Sequence, residues 1–102
     1  VILLDTTNRI IDETDMFSGS ADFTNIHPQE ILRHALLKRA SAVLLVHNHP
    51  SGNPNPSDED RILTETLTRM LKDVEVRFHD HMVATPTATY SIKYDRLVYA
   101  SD

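Results

Sequence analysis

The chain alternates between short apolar runs and longer stretches with helical spacing. Residues 1–5, "VILLD", open it with four successive apolar positions and read as a buried strand. Thr6–Asn8 is turn sequence. Arg9–Phe17 is rich in β-formers and reads as the second strand of a hairpin. Gly19 marks a bend, and residues 21–26, "ADFTNI", are expected to extend the sheet. His27–Pro28 starts a helix, because a proline at the first helical position lacks only an N–H that would go unsatisfied there. Ile31, Leu32, Ala35, Leu36 and Ala40 then recur on one helical face. Ser41–His47 is a continuous apolar run ending in histidine, the pattern of a strand covered on both faces. Residues 48–56 hold Pro50, Gly52, Pro54 and Pro56 and are loop. A second helix starts at Ser57, with Ile62, Leu63, Leu67, Met70 and Leu71 as its apolar stripe. Glu75–Ala84 is a strand, "TPT" a turn, and Ala88–Tyr94 a final alternating strand. The order β-β-α-β-α-β-β predicts one domain of α/β (α+β) type, a mixed sheet flanked by helices.

Composition narrows the class. The 102 residues suit a single domain, and the start at Val1, inside an apolar run and without Met, reads as the C-terminal piece of a longer protein. The longest purely apolar run is five residues, Ala42–Val46, against the roughly 20 a membrane span needs, so no membrane partner is expected. The chain has no cysteine, which excludes disulfides and thiolate metal sites, leaves His, Asp and Glu as candidate ligands, and fits a cytoplasmic protein. The net charge of −5 argues against direct nucleic-acid binding. Arg33, Lys38 and Arg39, the nearest thing to a basic patch, read as a solvated helix face.

The chemistry concentrates in residues 46–60, "VHNHPSGNPNPSDED". Residues two apart on a strand point the same way, with Cα atoms about 6.5–7 Å apart, so His47 and His49 can address one point. Asp60 falls in the first turn of the following helix, and a loop that reverses direction would bring it beside both rings. Two histidines and a carboxylate form an open Zn2+ site, and such a metal lowers the pKa of bound water to about 7. The plainer reading also stands. The histidines could be polar rim residues, Ser57 an N-cap worth about 1 kcal/mol, and Asp60 its reciprocal partner in a Ser-x-x-Asp box. Phe78–His81 carries a second His-x-His. It offers a rival metal pair at His79 and His81, a role for Asp80 or His81 in orienting a ligating imidazole, or simple structural pairing. His27 reads as a helix-start residue and His34 as an exposed helix residue.

The spacing His-x-His, seven residues, Ser, two residues, Asp is similar to the JAMM (MPN+) metalloprotease motif, matched by His47, His49, Ser57 and Asp60. The longer "HNHPSGNPNPSDED" resembles the RadC branch of that family, known by its historical label as a DNA repair protein. "LLDTTNRII", "FSGSADFTNIHPQEIL", "DHMVA" and "TYSI" resemble RadC segments in the same order, so the likeness covers essentially the whole chain. It implies a cytidine-deaminase-like JAMM/MPN fold with one Zn2+ per chain on His47, His49 and Asp60. It also implies a metallopeptidase or isopeptidase-like hydrolase, acting on a peptide or protein substrate through a metal-activated water. In that family the serine, here Ser57, stabilises the oxyanion, so its cap and catalytic roles compete for one hydroxyl. The family's general-base glutamate is expected upstream of Val1, so this piece should bind metal yet hydrolyse poorly; Glu13, Asp15 and Glu30 read as surface acids. Asp80 and His81 match the RadC pattern, whereas residues 84–89, "ATPTAT", with Pro86, replace its glycine turn. Nitrogen and oxygen ligands also admit Mn2+, Fe2+ or Ni2+. The alternatives are a non-catalytic protein-interaction module and a DNA-repair-associated factor. In the latter, a helix-hairpin-helix-like module preceding this domain would supply the DNA contact. The oligomeric state stays open.

Overall fold

The structure, a computed structural model, describes residues 1–16, 27–49 and 52–100. Among the described residues, six strands and two helices follow in the order β1 (Ile2–Leu4), β2 (Ile10–Glu13), α1 (Pro28–Leu37), β3 (Ala42–Asn48), α2 (Asp58–Asp73), β4 (Arg77–Ala84), β5 (Ala88–Ser91) and β6 (Arg96–Ala100). They form one mixed sheet in the spatial order β2-β1-β3-β4-β5-β6. Only β3 and β4 run parallel, and α2 makes the crossover that a parallel pair requires. The expected bend at Gly19, the sheet extension over residues 21–26, and Pro50 lie outside the described residues.

The helices share one face of the sheet. Ile31 and Ala35 of α1, and Leu63, Leu67 and Leu71 of α2, enter a single core with Leu3, Val43, Leu45 and Val76. Leu63, Leu67 and Leu71 recur every fourth residue, the spacing that keeps a stripe on one side of a helix. Each such leucine contributes about 1.5–3 kcal/mol by leaving water. Two expected stripe members fall outside it: Ile62 is 63% and Leu36 48% exposed. The expectation that strand 41–47 is covered on both faces also fails in part. Val43 and Leu45 face the helices, but Val46, on the other side, is 41% exposed.

The strand expected over Ala88–Tyr94 ends at Ser91, and a sixth strand follows that the sequence reading lacked. Asp95 takes a left-handed conformation (φ 53°) in the turn between them. Its carboxylate accepts hydrogen bonds from Tyr90 Oη (2.5 Å) and Arg61 Nη2 (2.9 Å), tying this hairpin to the first turns of α2. The bulky, β-prone run Leu97–Tyr99 was the available signal for the extra strand.

A bulge in β4 matters more for function. Val43 pairs with Phe78, but Leu44 pairs with Asp80 and Leu45 with His81, so His79 is an extra residue. A bulge reverses the alternation beyond it. Phe78 packs on the helix side, and in a regular strand Asp80 would follow it there. With His79 inserted, His81 takes the helix side and Asp80 the opposite one.

Candidate metal centre

The parallel pairing carries β3 to its last residues, His47↔Val83 and Asn48↔Ala84, and the His49 N–H still donates to Ala84 O (2.9 Å). Both imidazoles are thus held by β4, with ring centroids 4.8 Å apart and edge to face at 86°. The chain then reverses. Gly52 N–H donates to His49 O (3.2 Å), and Gly52 sits at φ +85°, a region that costs a residue with a Cβ. A Cβ there would meet nothing within 4 Å, so conformation and not space calls for glycine.

The start of α2 brings the carboxylate. Ser57 is the N-cap, with extended backbone (φ −80°, ψ 170°), and its Oγ accepts from Asp60 N (3.1 Å). Asp60 answers by accepting from Ser57 N (2.8 Å) and Ser57 Oγ–H (3.0 Å) through Oδ2. The reciprocal box expected from the sequence is therefore present, and it leaves Asp60 fully buried beneath both rings. Asp60 Oδ1 lies 3.1 Å from His47 Nδ1, and Oδ2 lies 3.3 Å from His49 Nε2. Burial works to raise the Asp60 pKa. Hydrogen bonds from the His47 ring and from the Ser57 N–H and hydroxyl, with His81 nearby, outweigh it and hold the carboxyl at about 2.

The donor set fits a divalent cation. One ligand atom from each of His47, His49 and Asp60 lies within 4.8 Å of the others, the only such grouping among the described residues. Contacts of 3.1 and 3.3 Å match the roughly 3.3 Å between neighbouring ligand atoms when tetrahedral bonds are about 2.0–2.1 Å. The His49 tautomer agrees. Its Nδ1 lies 3.1 Å from the carbonyl oxygen of Asn53, which can only accept, so Nδ1 carries the hydrogen. In the neutral ring Nε2 is then a bare lone pair facing a carboxylate oxygen, an arrangement that a cation between them satisfies. Metal-binding histidines are oriented in this way by a partner on their other nitrogen.

The remaining candidates separate. His81 is fully buried on β4, with Nδ1 2.7 Å from Thr64 Oγ1 and Nε2 3.9 Å from Asp60 Oδ1, and its ring centroid is 6.4 Å from that of His47. Burial pushes its pKa down to about 4 against the pull of Asp60, so the ring is neutral at neutral pH. Asp80, a candidate either for orienting an imidazole or for structural pairing, makes structural contacts. Its Oδ1 accepts from the backbone N–H of His81 (2.7 Å) and of Lys93 (3.0 Å), and its Oδ2 from Ser91 Oγ (2.5 Å). It fastens β4 to β5 from the side of the sheet away from the rings. His79 is the extra residue of the bulge, and neither it nor His81 belongs to the group of three candidate ligands found among the described residues. His34 is not the exposed residue expected: its Nε2 lies 2.7 Å from Asp12 Oδ2 on β2. Thr64, which the sequence reading passed over, supports His81. Its position one helical turn after Asp60 was the available signal.

A mixed sheet with both helices on one face, and a His-x-His strand end against a capped helix start, defines a JAB-type domain. The chain belongs to the RadC-like JAB domain family, whose model matches residues 1–97. It is 42% identical over 98 residues to UPF0758 protein PM1152 of Pasteurella multocida, covering 96% of this chain and 44% of that protein. It is 46% identical over 85 residues to a UPF0758 protein of Chromobacterium violaceum, covering 83% and 38%. It is 47% identical over 83 residues to UPF0758 protein XAC3915 of Xanthomonas axonopodis pv. citri, covering 81% and 37%. The chain thus spans less than half the length of these relatives. Among the described residues no helix is long and apolar enough to cross a membrane.

Proposed function

We propose that this domain is a metal-dependent amide hydrolase, holding one Zn2+ on His47, His49 and Asp60 and cleaving a peptide or isopeptide bond in a protein or peptide substrate. The observation that carries the reading is the convergence of a fully buried carboxylate with two imidazoles, one of them held by Asn53 with its Nε2 facing the carboxylate. When bound, the ion would supply Lewis acidity and a water acidified to near-neutral pKa. Asp60 keeps its negative charge through the Ser57 hydrogen bonds and neutralises part of the cation. Asn53 holds the His49 ring in register.

Ser57 has a double task. In this structure its hydroxyl hydrogen is directed at Asp60 Oδ2, while its oxygen accepts the Asp60 N–H. Turning that hydrogen toward a substrate carbonyl oxygen would stabilise the oxyanion without breaking the cap, because the cap uses only the lone pair. Proton transfer would fall to a glutamate preceding the first strand in the longer protein. The acid excess of this domain, net −5, favours a peptide or protein partner over a nucleic acid.

The test is metal analysis and peptide hydrolysis with the full-length protein. About one equivalent of zinc, with turnover of peptide or isopeptide substrates that is lost in His49→Ala, is the expected result. A full-length protein that carries no metal after purification and binds none on titration would overturn the reading.

A further inference from the structure

Asp80 is a buried carboxylate that stands outside the metal centre and takes no part in the proposed chemistry. We infer that Asp80 is a positioning residue of the centre: its carboxylate holds the β4 bulge at His79, and so decides which side chains of β4 lie beneath His47 and Asp60. The inference rests on the metal-site reading above.

Strand β4 has two ways to run past β3. With the bulge, Leu44 pairs with Asp80, Leu45 with His81 and His47 with Val83. Without it, the pairing of Val43 with Phe78 would continue as Leu44 with His79, Leu45 with Asp80 and His47 with Met82. Residues paired across two strands share a side of the sheet, so this slip exchanges the faces of Asp80 and everything after it in β4. The Asp80 carboxylate would then lie beside Leu45 in the core, and His81 on the side away from the helices.

The carboxylate opposes the slip twice. Where it stands, it is satisfied: Oδ1 accepts from the backbone N–H of His81 (2.7 Å) and of Lys93 (3.0 Å), and Oδ2 from Ser91 Oγ (2.5 Å). Ser91 Oγ accepts in turn from the Tyr94 N–H (3.2 Å). These bonds join the residue after the bulge to the end of β5 and the turn beyond it, next to the Ile92 N–H that donates to His81 O (3.0 Å). The slip would exchange all of these donors for an apolar core, where an unpaired carboxylate is costly.

The bulge thereby sets what supports the centre. Fully buried Val83 pairs with His47. Thr64 Oγ1 lies 2.9 Å from the backbone oxygen of Asp60 and 2.7 Å from His81 Nδ1. A hydroxyl has one hydrogen and a carbonyl oxygen cannot donate, so Thr64 donates to Asp60 O and accepts the Nδ1–H of His81. His81 steadies the helical turn that carries Asp60 and stays outside the group of three candidate ligands. The slip would set Met82 in place of Val83 beside His47 and take His81 away from Thr64.

The experiment uses the full-length protein and reads two quantities: zinc affinity by calorimetry, and the slowly exchanging Nδ1–H signal of His81 in the metal-free NMR spectrum. Asp80→Leu should lose the signal and bind zinc about 10–100-fold more weakly, the range for lost support of a ligand. Asp80→Asn keeps an oxygen for both backbone N–H groups and should retain both. Deleting His79 from the Asp80→Leu variant should restore both, because a strand without the extra residue puts position 80 away from the helices and His81 toward them by alternation alone. A folded Asp80→Leu protein with wild-type signal and affinity would overturn the inference. So would a deletion that restores neither, whether or not Asp80→Leu folds by itself. A wild type that shows the signal but binds no zinc would overturn the metal-site reading, and the signal in the three variants would still decide whether Asp80 sets the strand.

Discussion

Two aspartates of this chain each meet a histidine and a hydroxyl, and the closer pair is not the one that gathers candidate metal ligands. Asp12 on β2 lies 2.7 Å from His34 Nε2 and accepts from Thr14 Oγ1 at 2.7 Å; Asp60 lies 3.1 and 3.3 Å from His47 and His49 and accepts from Ser57 Oγ at 3.0 Å. What separates them is solvent and convergence. The Asp12 side chain is 22% exposed and Lys38 stands 3.9 Å away, so water and an ammonium share its charge. Its pKa is lowered, first by the Thr14 hydroxyl and then by His34, as a surface carboxylate's would be. Asp60 is fully buried, and three imidazoles lie within 3.9 Å of it, one of which keeps an unpartnered buried nitrogen. A short His–Asp contact at a surface is an ordinary ion pair of small worth. A buried carboxylate with several imidazoles aimed at it is a site prepared for a cation.

The comparison can be broken most directly at the carboxylates. Asp60→Asn should weaken zinc binding by more than about 100-fold, because losing a ligand exceeds the 10–100-fold cost of losing a ligand's supporting partner. Asp12→Asn should leave zinc content unchanged, and titration calorimetry on the two variants reads the difference. Equal loss in both would mean that the two pairs are equivalent.

The next effect is on stability in metal-stripped protein. The His81 ring takes up its proton near pH 6.5 when unfolded but near pH 4 when folded, because burial lowers its pKa. The unfolded state therefore binds the extra proton between these values. The His81 contribution to stability should be lost as pH drops from about 6.5 to about 4, on the order of 3 kcal/mol, and below pH 4 the loss continues through Asp60, whose carboxyl is held at about 2. Denaturation at a series of pH values measures it, and His81→Leu should flatten this part of the profile. An unchanged profile in His81→Leu would assign the slope elsewhere.

Ser57→Ala is expected to cost about 1 kcal/mol in urea denaturation through the lost cap. It should also weaken zinc binding by about 10–100-fold, since Ser57 supports Asp60. The smallest effect is at the surface pair. His34→Ala removes the contact to Asp12 and should leave zinc content and the Ser57-dependent part of stability as they are, read by the same two assays.

Much of the centre was legible because its determinants are local. His47 and His49 share a side through the two-residue strand repeat. Ser57 and Asp60 meet through a capping box that four consecutive residues define. Gly52 sits where the reversal needs a left-handed residue. The resemblance of "HNHPSGNPNPSDED" to RadC sequences led to the family that the match over residues 1–97 establishes.

Other features depend on neighbours far along the chain. Ile62 and Leu36 have helical spacing but meet no core, because both helices crowd one face of the sheet. His34 reads as a solvated helix residue until β2 brings Asp12 beneath it. The end of β5 and the start of β6 turn on Asp95, held by Arg61 from a helix 34 residues earlier.

The sequence by itself determined the two helices, five of the six strands, and the spacing that gathers His47, His49, Ser57 and Asp60, since periodicity and capping act over a few residues. Only the tertiary structure decided that His81 faces the centre while Asp80 fastens the far side of the sheet. That choice hangs on one inserted residue, His79, and a bulge exists only in the pairing of one strand with another.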